Sequence, residues 1–442
     1  MTRPDALTTA DSTDPYMPGH GDLSYAVDHY DLDLVYQPRS NLLDGVAEVR
    51  LRTRAETTTL RFDLHHLRVT TVSVAGAPLR KYTRNQRHLD LTLNSAVPAG
   101  TGLTVRIEYG GNPRPVRSAS LGEAGWEELT DGVIVASQPH GAPSWFPCND
   151  QARDKARYDV RLTVPAEYTA AFSGQTHAVK RRGSRCTWTF QQRHPMAPYL
   201  ASLQIGKYRE QVVDGAGVPI RVLRAERLPE AAFVASFGRQ REMLRCFEEA
   251  FGPYPFDSYT CVITDDALEI PLESQALSTF GRNHCSADLG AVRLIAHELS
   301  HQWFGNAVTA AAWRDIWLHE GFACFSEWVW SEHSGGPSIA DQARASHDRL
   351  SRLPQDLTLG DPGAADMFDD RVYKRGALTL AALRDLIGVH AFTLLMHRWV
   401  AQNCGGVVST EDFIALAEEV GGQSLGTFFD GWLYRRDLPA WS

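Results

Sequence analysis

The residues from His297 to His301 read His-Glu-Leu-Ser-His, two imidazoles four positions apart with a carboxylate between them. On an α-helix, at about 100° per residue, such a pair falls about 40° apart and one turn along, so both rings face one point. Two imidazoles meeting there are a metal-ligand pair. A catalytic zinc takes three protein ligands and leaves a fourth position open. Glu320 follows His301 after 18 intervening residues, room for a loop and a second helix beside the first. It stands among Trp313, Trp317, Trp328 and Trp330, where a carboxylate is costly unless paired or bound to a metal. The expected set is therefore His297, His301 and Glu320 around one zinc ion per chain. Glu298, beside both histidines, is placed to be the general base for water attacking a carbonyl. Glu327, two turns beyond Glu320, is a candidate for orienting one of the ligands.

These residues need two helices to hold them. The first is expected across DLGAVRLIAHELSHQWFG, with Asp288 as N-cap and Gly305-Asn306 as its stop. Val292, Ile295, Leu299 and Trp303 form an apolar stripe on the face away from the histidines. The second spans DIWLHEGFACFSEWVWSEHSG, where Leu318, Phe322, Phe325 and Val329 share one face and Glu320 and Glu327 the other. Further helical patterns occur at FVASFGRQREMLRCFEEAFG, YKRGALTLAALRDLIG, TEDFIALAEEVGG and LGTFFDGWLY, after two or three strands such as IRVLRAE and SYTCVITD. Upstream the texture differs. From Tyr25 to about Tyr109, and again through GVIVASQ, ARYDVRLTVP, YTAAFSGQ, RCTWTFQQ and LASLQIG, apolar and polar residues alternate in period two. The expected organisation is a disordered tail over 1–20, an all-β domain over 21–208 and a mainly helical domain over 209–442.

Composition narrows the function classes. A chain of 442 residues calls for more than one core. A net charge of -9 gives no basic footprint for nucleic acid, and no apolar run approaches the ~18 residues of a membrane span. The opening residues lack the apolar stretch of a secretory leader, and seven scattered cysteines without a C-x-x-C pair suit reduced thiols. A cytoplasmic location is expected; oligomeric state is left open. Gly422-Gln423-Ser424-Leu425-Gly426 fits a serine-nucleophile pattern, but it follows a helix and no histidine occurs after Ser424. Ser424 is read as a loop residue or helix cap.

Taken together, HELSHQWFGNAVT and WLHEGFA resemble the aminopeptidase N family of gluzincin zinc metallopeptidases, and the resemblance runs from about Tyr25 to the C-terminus. It implies a saddle-like β domain followed by a thermolysin-like catalytic domain, and peptides as substrates. ASQPHGAPSWFPCNDQARDKARYDV looks like the family's glutamine-containing block, which implies that Gln138 binds substrate. VYKRGALTLAAL resembles its tyrosine block, so Tyr373 is implied as the donor to the oxyanion of the tetrahedral intermediate. The family's Gly-Ala-Met-Glu-Asn motif is replaced by Ile270-Pro271-Leu272-Glu273-Ser274. Glu273 keeps the acid expected to bind the substrate's α-ammonium, with Glu269 as a competitor, while Pro271 removes a backbone N–H from the strand. His319 replaces the usual asparagine before Glu320. The implied activity is that of a zinc aminopeptidase. The alternatives are an endopeptidase or other hydrolase using the same zinc, and an inactive metal-holding protein, which needs neither Glu298 nor Tyr373. Family relatives usually continue into a helical domain that roofs the site; this sequence stops after Leu438-Pro439-Ala440-Trp441-Ser442, so a short two-domain form with an open cleft is expected.

Overall fold

The computed structural model describes residues 14–213, 217–286 and 289–441. The chain divides into two compact units, one from the residues up to Ala170 together with Thr176–Leu203, the other from Ala171–Gln175 together with Gln204 onward.

The first unit is all β. Its largest sheet has seven strands in the order Gln175–Arg182, Arg185–Met196, Ala156–Pro165, Tyr25–Gln37, Leu42–Thr53, Gly102–Gly111, Arg68–Ala75. The pair Tyr25–Gln37 and Ala156–Pro165 runs parallel, and the neighbours on either side are antiparallel. Sequence alternation explains which face is buried. Tyr25 and Val27 point inward, then Tyr30, Leu32, Leu34 and Tyr36 do. The change of phase is absorbed by a register shift between Val27 and His29, a bulge that returns the apolar set to the core. Tyr30 stacks on Tyr158 at 4.9 Å and meets Phe146 edge-on at 5.4 Å. The same unit holds a three-stranded sheet (Thr57–Asp63, His88–Val97, Leu79–Arg84) and the antiparallel run Val116–Ser118, Gly122–Leu129, Gly132–Ala136. Residues 1–13 of the expected tail lie outside the described residues. Residues 14–20 are packed rather than loose: Met17 is buried, and His20 Nδ1 lies 2.7 Å from an Asp150 carboxylate oxygen.

The second unit is mainly helical around a small sheet. The strands follow the order Tyr208–Val213, Ile220–Ala225, Tyr259–Ile263, Leu277–Phe280, Leu272–Ser274, the last being an antiparallel edge. Eight helices of eight or more residues are described: α1 (Glu230–Phe237), α2 (Gln240–Phe251), α3 (Leu289–Ser300), α4 (Trp317–His333), α5 (Ile339–Leu350), α6 (Asp370–Ile387), α7 (Val389–Asn403) and α8 (Thr410–Gly421). The single helix read from FVASFGRQREMLRCFEEAFG is two helices, broken at Gly238-Arg239. Asp288, the expected cap of α3, lies outside the described residues. Helix α4 is buried almost all round, with Trp317, Phe322, Phe325 and Trp328 in the core. Its acids therefore do not face water. Helix α6 crosses α4 at Gly321 and Gly376. A Cβ built on Gly321 would meet the Gly376 Cα at 2.7 Å, and one on Gly376 would meet the Gly321 Cα at 2.6 Å. Two glycines therefore let the backbones touch, one residue after Glu320 and three after Tyr373.

Candidate metal centre and active site

Helix α3 ends at Ser300, and His301 begins the turn that follows while still donating its backbone N–H to His297 O at 3.3 Å. Gly305 sustains that turn at φ 113°, with a built Cβ 3.4 Å from His301 Nδ1. The two imidazoles lie with centroids 4.8 Å apart and planes at 76°. Ile295, Leu299 and Trp303 are fully buried as the stripe requires, whereas Val292 is only half-buried.

Each histidine has its Nδ1 engaged. His301 Nδ1 donates to Phe304 O at 2.9 Å, and His297 Nδ1 donates to Glu327 Oε1 at 2.7 Å. Neither partner carries a proton to give, so the ring proton sits on Nδ1 and Nε2 is left as a ligand atom. His297 Nε2 and His301 Nε2 lie 3.4 and 3.5 Å from the same oxygen, Oε2 of Glu320. Ligand atoms about 2.0–2.1 Å from a tetrahedral ion stand about 3.3 Å apart, so this donor set fits zinc. Among the described residues these three form the one group of histidine, cysteine or acid side chains that converges in this way, and all three are buried.

The electrostatics separate the acids. Burial alone would lower both histidines, but before a cation takes the place of the Nε2 proton, hydrogen bonds to Glu320 and Glu327 raise His297 to about 9 and the negative charge of Glu273 and Glu320 raises His301 to about 10. Glu320 is buried yet held well below the usual carboxylate range by the two histidines. Glu327, also buried, is kept at about 2 by the His297 hydrogen bond and by Lys374. Arg293 Nη1 donates to Glu327 Oε1 at 2.7 Å, and Lys374 Nζ lies 3.7 Å from Oε2. Glu327 is thus buried and hydrogen-bonded to His297, and not a surface acid. Glu298 behaves in the opposite sense. Burial first, then the nearby Glu273 charge, push it up to about 8, and its Oε2 has no hydrogen-bond partner among the described residues.

Tyr373, on the first turn of α6, lies with its ring nearly parallel to that of His297, centroids 6.0 Å apart. Burial and the charges of Glu320, Glu273 and Glu298 push its phenol well above the ordinary value, so it stays a proton donor. Glu273 sits on the edge strand Leu272–Ser274 within electrostatic reach of His301, Glu320 and His297, and burial raises its carboxyl. Glu269 is exposed in the preceding loop. Gln138 belongs to the other unit, just after the strand Gly132–Ala136, and forms a cis peptide bond with Pro139. His319 Nε2 accepts the Ala310 N–H at 2.7 Å. Ser424 is an exposed loop residue whose hydroxyl donates to Glu418. Sequence reasoning missed the cations around Glu327 and the Gly321–Gly376 contact. Arg293 stands one turn before His297 and Lys374 directly after Tyr373, spacings that mark them only once Glu327 is known to be buried.

Residues 26–200 match the Peptidase M1 N-terminal domain and residues 235–432 the Peptidase family M1 domain. Leucine aminopeptidase 2 of Emericella nidulans is 25% identical over 92% of this chain and 70% of its own length. Glutamyl aminopeptidase of Bitis rhinoceros is 24% identical over 93% of this chain. Aminopeptidase M1 of Arabidopsis thaliana is 26% identical over 71% of this chain. The chain spans less than half the length of the latter two, 46% and 38%. The crystal structure of an M1 zinc metallopeptidase from Deinococcus radiodurans superposes with a TM-score of 0.87 at 32% identity, covering 97% of this chain and 98% of that one. A mutant of that enzyme bound to a Tyr-Ser-Ala substrate superposes at 0.88. No described helix is long and apolar enough to cross a membrane. Both units match, a solved relative aligns along almost its whole length, and the ligand geometry suits the metal, so this chain belongs to the M1 family of zinc metallopeptidases.

Proposed function

We propose that this chain is an aminopeptidase that releases residues one at a time from peptide N-termini. Glu298 is its general base, Tyr373 its donor to the oxyanion, Glu273 its holder of the substrate's α-ammonium, and Gln138 a substrate-binding residue. One observation carries this reading. Beside the His297–His301–Glu320 group stand a buried carboxylate with an unpartnered oxygen, Glu298, and a second carboxylate, Glu273, within its field.

Zinc in such a group lowers the pKa of a water and polarises the carbonyl to be attacked. Glu298 takes one proton from the attacking water and delivers it to the departing nitrogen, so the peptide bond is exchanged for a carboxyl and a free amine. Burial and the Glu273 charge push the Glu298 carboxyl up from the ordinary carboxylate range, which strengthens it as a proton acceptor, and a bound dication would draw it back toward ionisation. The phenol of Tyr373 donates to the carbonyl oxygen as negative charge gathers there. Glu273, negatively charged on an edge strand, favours a cationic amine beside the scissile bond. The family relatives named aminopeptidases and the tripeptide seen in the Deinococcus enzyme support the same substrate class. Seven cysteines without a disulfide support work in a reducing compartment such as the cytoplasm.

The test is turnover on aminoacyl amides and short peptides, each with a free and an acetylated amine, with and without a chelator. The proposal expects chelator-sensitive cleavage confined largely to free amines. Equal rates on both would transfer the chain to the endopeptidase reading, which draws on the loss of a backbone N–H at Pro271. No cleavage of any kind by the zinc-loaded protein would leave the metal-holding reading.

A further inference from the structure

The edge strand that carries Glu273 is short, and its ladder to Leu277–Phe280 spans only Leu272, Glu273 and Ser274. Its turn is strained: Ala276 sits at φ 59°, a left-handed conformation that disfavours a side chain. What holds it is a side chain from the metal-bearing segment. Gln302, adjacent to His301 and fully buried, accepts the Ala276 N–H at 2.7 Å through Oε1 and donates from Nε2 to Ser274 O at 3.1 Å. Asn306, at the end of the same turn, donates to Ser274 O at 3.0 Å. Ser278, on the partner strand, donates through its hydroxyl to Glu298 O at 3.4 Å.

We propose that Gln302 is a positioning residue that fixes the distance from the metal ligands to Glu273, and so sets where a substrate's terminal amine must lie relative to the scissile carbonyl. This rests on the reading of Glu273 as the ammonium site. The argument is mechanical. Gln302 and His301 are consecutive, so the amide that grips both sides of the Ser274–Ala276 turn moves with the ligand itself. A three-residue ladder leaves the strand free to slide or twist. A two-point amide clamp removes that freedom, and it satisfies the strained Ala276 N–H, which would otherwise be buried without a partner. Because Gln302 makes two of the three side-chain bonds to this turn and is not itself a ligand, its loss should blur the selection for a free amine before it disturbs the metal.

Gln302→Leu removes both bonds at similar volume; Gln302→Glu keeps an acceptor for Ala276 and loses the donor to Ser274. In the zinc-loaded protein, Gln302→Leu should keep its zinc while kcat/KM on free-amine peptides falls about ten- to a hundredfold, mainly through KM. Rates on acetylated peptides should change little, and Gln302→Glu should recover part of the loss. Hydrogen exchange should speed up over 272–276 and stay unchanged in α3. Proportional loss on both substrate sets, an unchanged ratio, or unchanged exchange over 272–276 would each overturn the proposal. If Gln302→Leu fails to fold, Asn306→Leu removes one bond to Ser274 and must move the ratio in the same direction; no movement refutes the clamp. Absence of any free-amine preference in the parent would instead defeat the Glu273 reading, and the exchange measurement would still decide whether Gln302 holds the strand.

Discussion

Glu298 and Glu327 are both buried carboxylates, yet their surroundings drive them apart. Glu327 is gripped by His297, Arg293 and Lys374 and stays ionised down to about pH 2, so it is a fixed negative charge that locks the imidazole. Glu298 has no partner on one oxygen among the described residues, and burial and Glu273 push its carboxyl up instead of down. On the function proposed above, one is a charge that stays put and the other carries a proton that moves. Glu298→Gln should therefore retain its zinc while turnover falls by about 100- to 10,000-fold, checked by metal analysis beside steady-state rates. Glu327→Gln should do the reverse in emphasis. Its ring-orienting bond weakens, and zinc affinity should drop by about 10- to 100-fold in a chelator competition. Equal zinc affinity in that variant would show that the Glu327 contact does not set the orientation of His297.

At the scale of elements, the site depends on how closely α6 approaches α4. Gly321 and Gly376 meet backbone to backbone, and this contact sits between Glu320 on one helix and Tyr373 on the other. Neither glycine is needed for its φ. Each is needed because a methyl there would stand 2.6–2.7 Å from a main-chain atom that no rotamer can move. Gly321→Ala should force the helices apart at a cost of about 1–3 kcal/mol, read from urea unfolding of the zinc-loaded protein. Because Tyr373 travels with α6, kcat should fall more than this loss of stability explains. A variant with parent-like stability and kcat would mean that the crossing relaxes elsewhere.

At the scale of the molecule, the β unit carries its own buried acid. Asp154 is deep in the first unit, and burial pushes it up to about 7 although Arg54 and the Asn149 amide pull it down. In an unfolded chain an aspartate titrates near 3.9. Between those values the folded unit keeps a proton that the unfolded chain has released, so this group's contribution is full below about pH 4 and is lost as pH rises through about 7. Asp154→Asn removes that term. Melting temperatures taken from pH 4 to pH 8 should fall more steeply for the parent than for the variant, and parallel curves would refute the assignment.

Much of this protein was legible along the chain because its signals are local. The period-two alternation of the first half and the helical periods of the second follow from which face of each element must leave water, and they divide the molecule correctly into a β-rich and a helical part. The triad of His297, His301 and Glu320 was legible because two of its members are one helical turn apart and the third lies in an apolar text that a free acid cannot occupy. Helices α5 and α7 escaped notice: α5 is largely polar with only Ile339, Ala343 and Leu350 buried, and α7 restarts one residue after α6 behind Gly388. Glu327 was ambiguous until α4 proved buried on nearly every side, since periodicity shows one apolar face and not whether the opposite face meets water. The Gly321–Gly376 contact and the grip of Gln302 on Ser274 and Ala276 join residues 55 and 28 positions apart, or nearly so, through backbone atoms whose chemistry is the same everywhere in the chain. A sequence records side chains; which main-chain atoms they find is decided only when the chain has closed on itself.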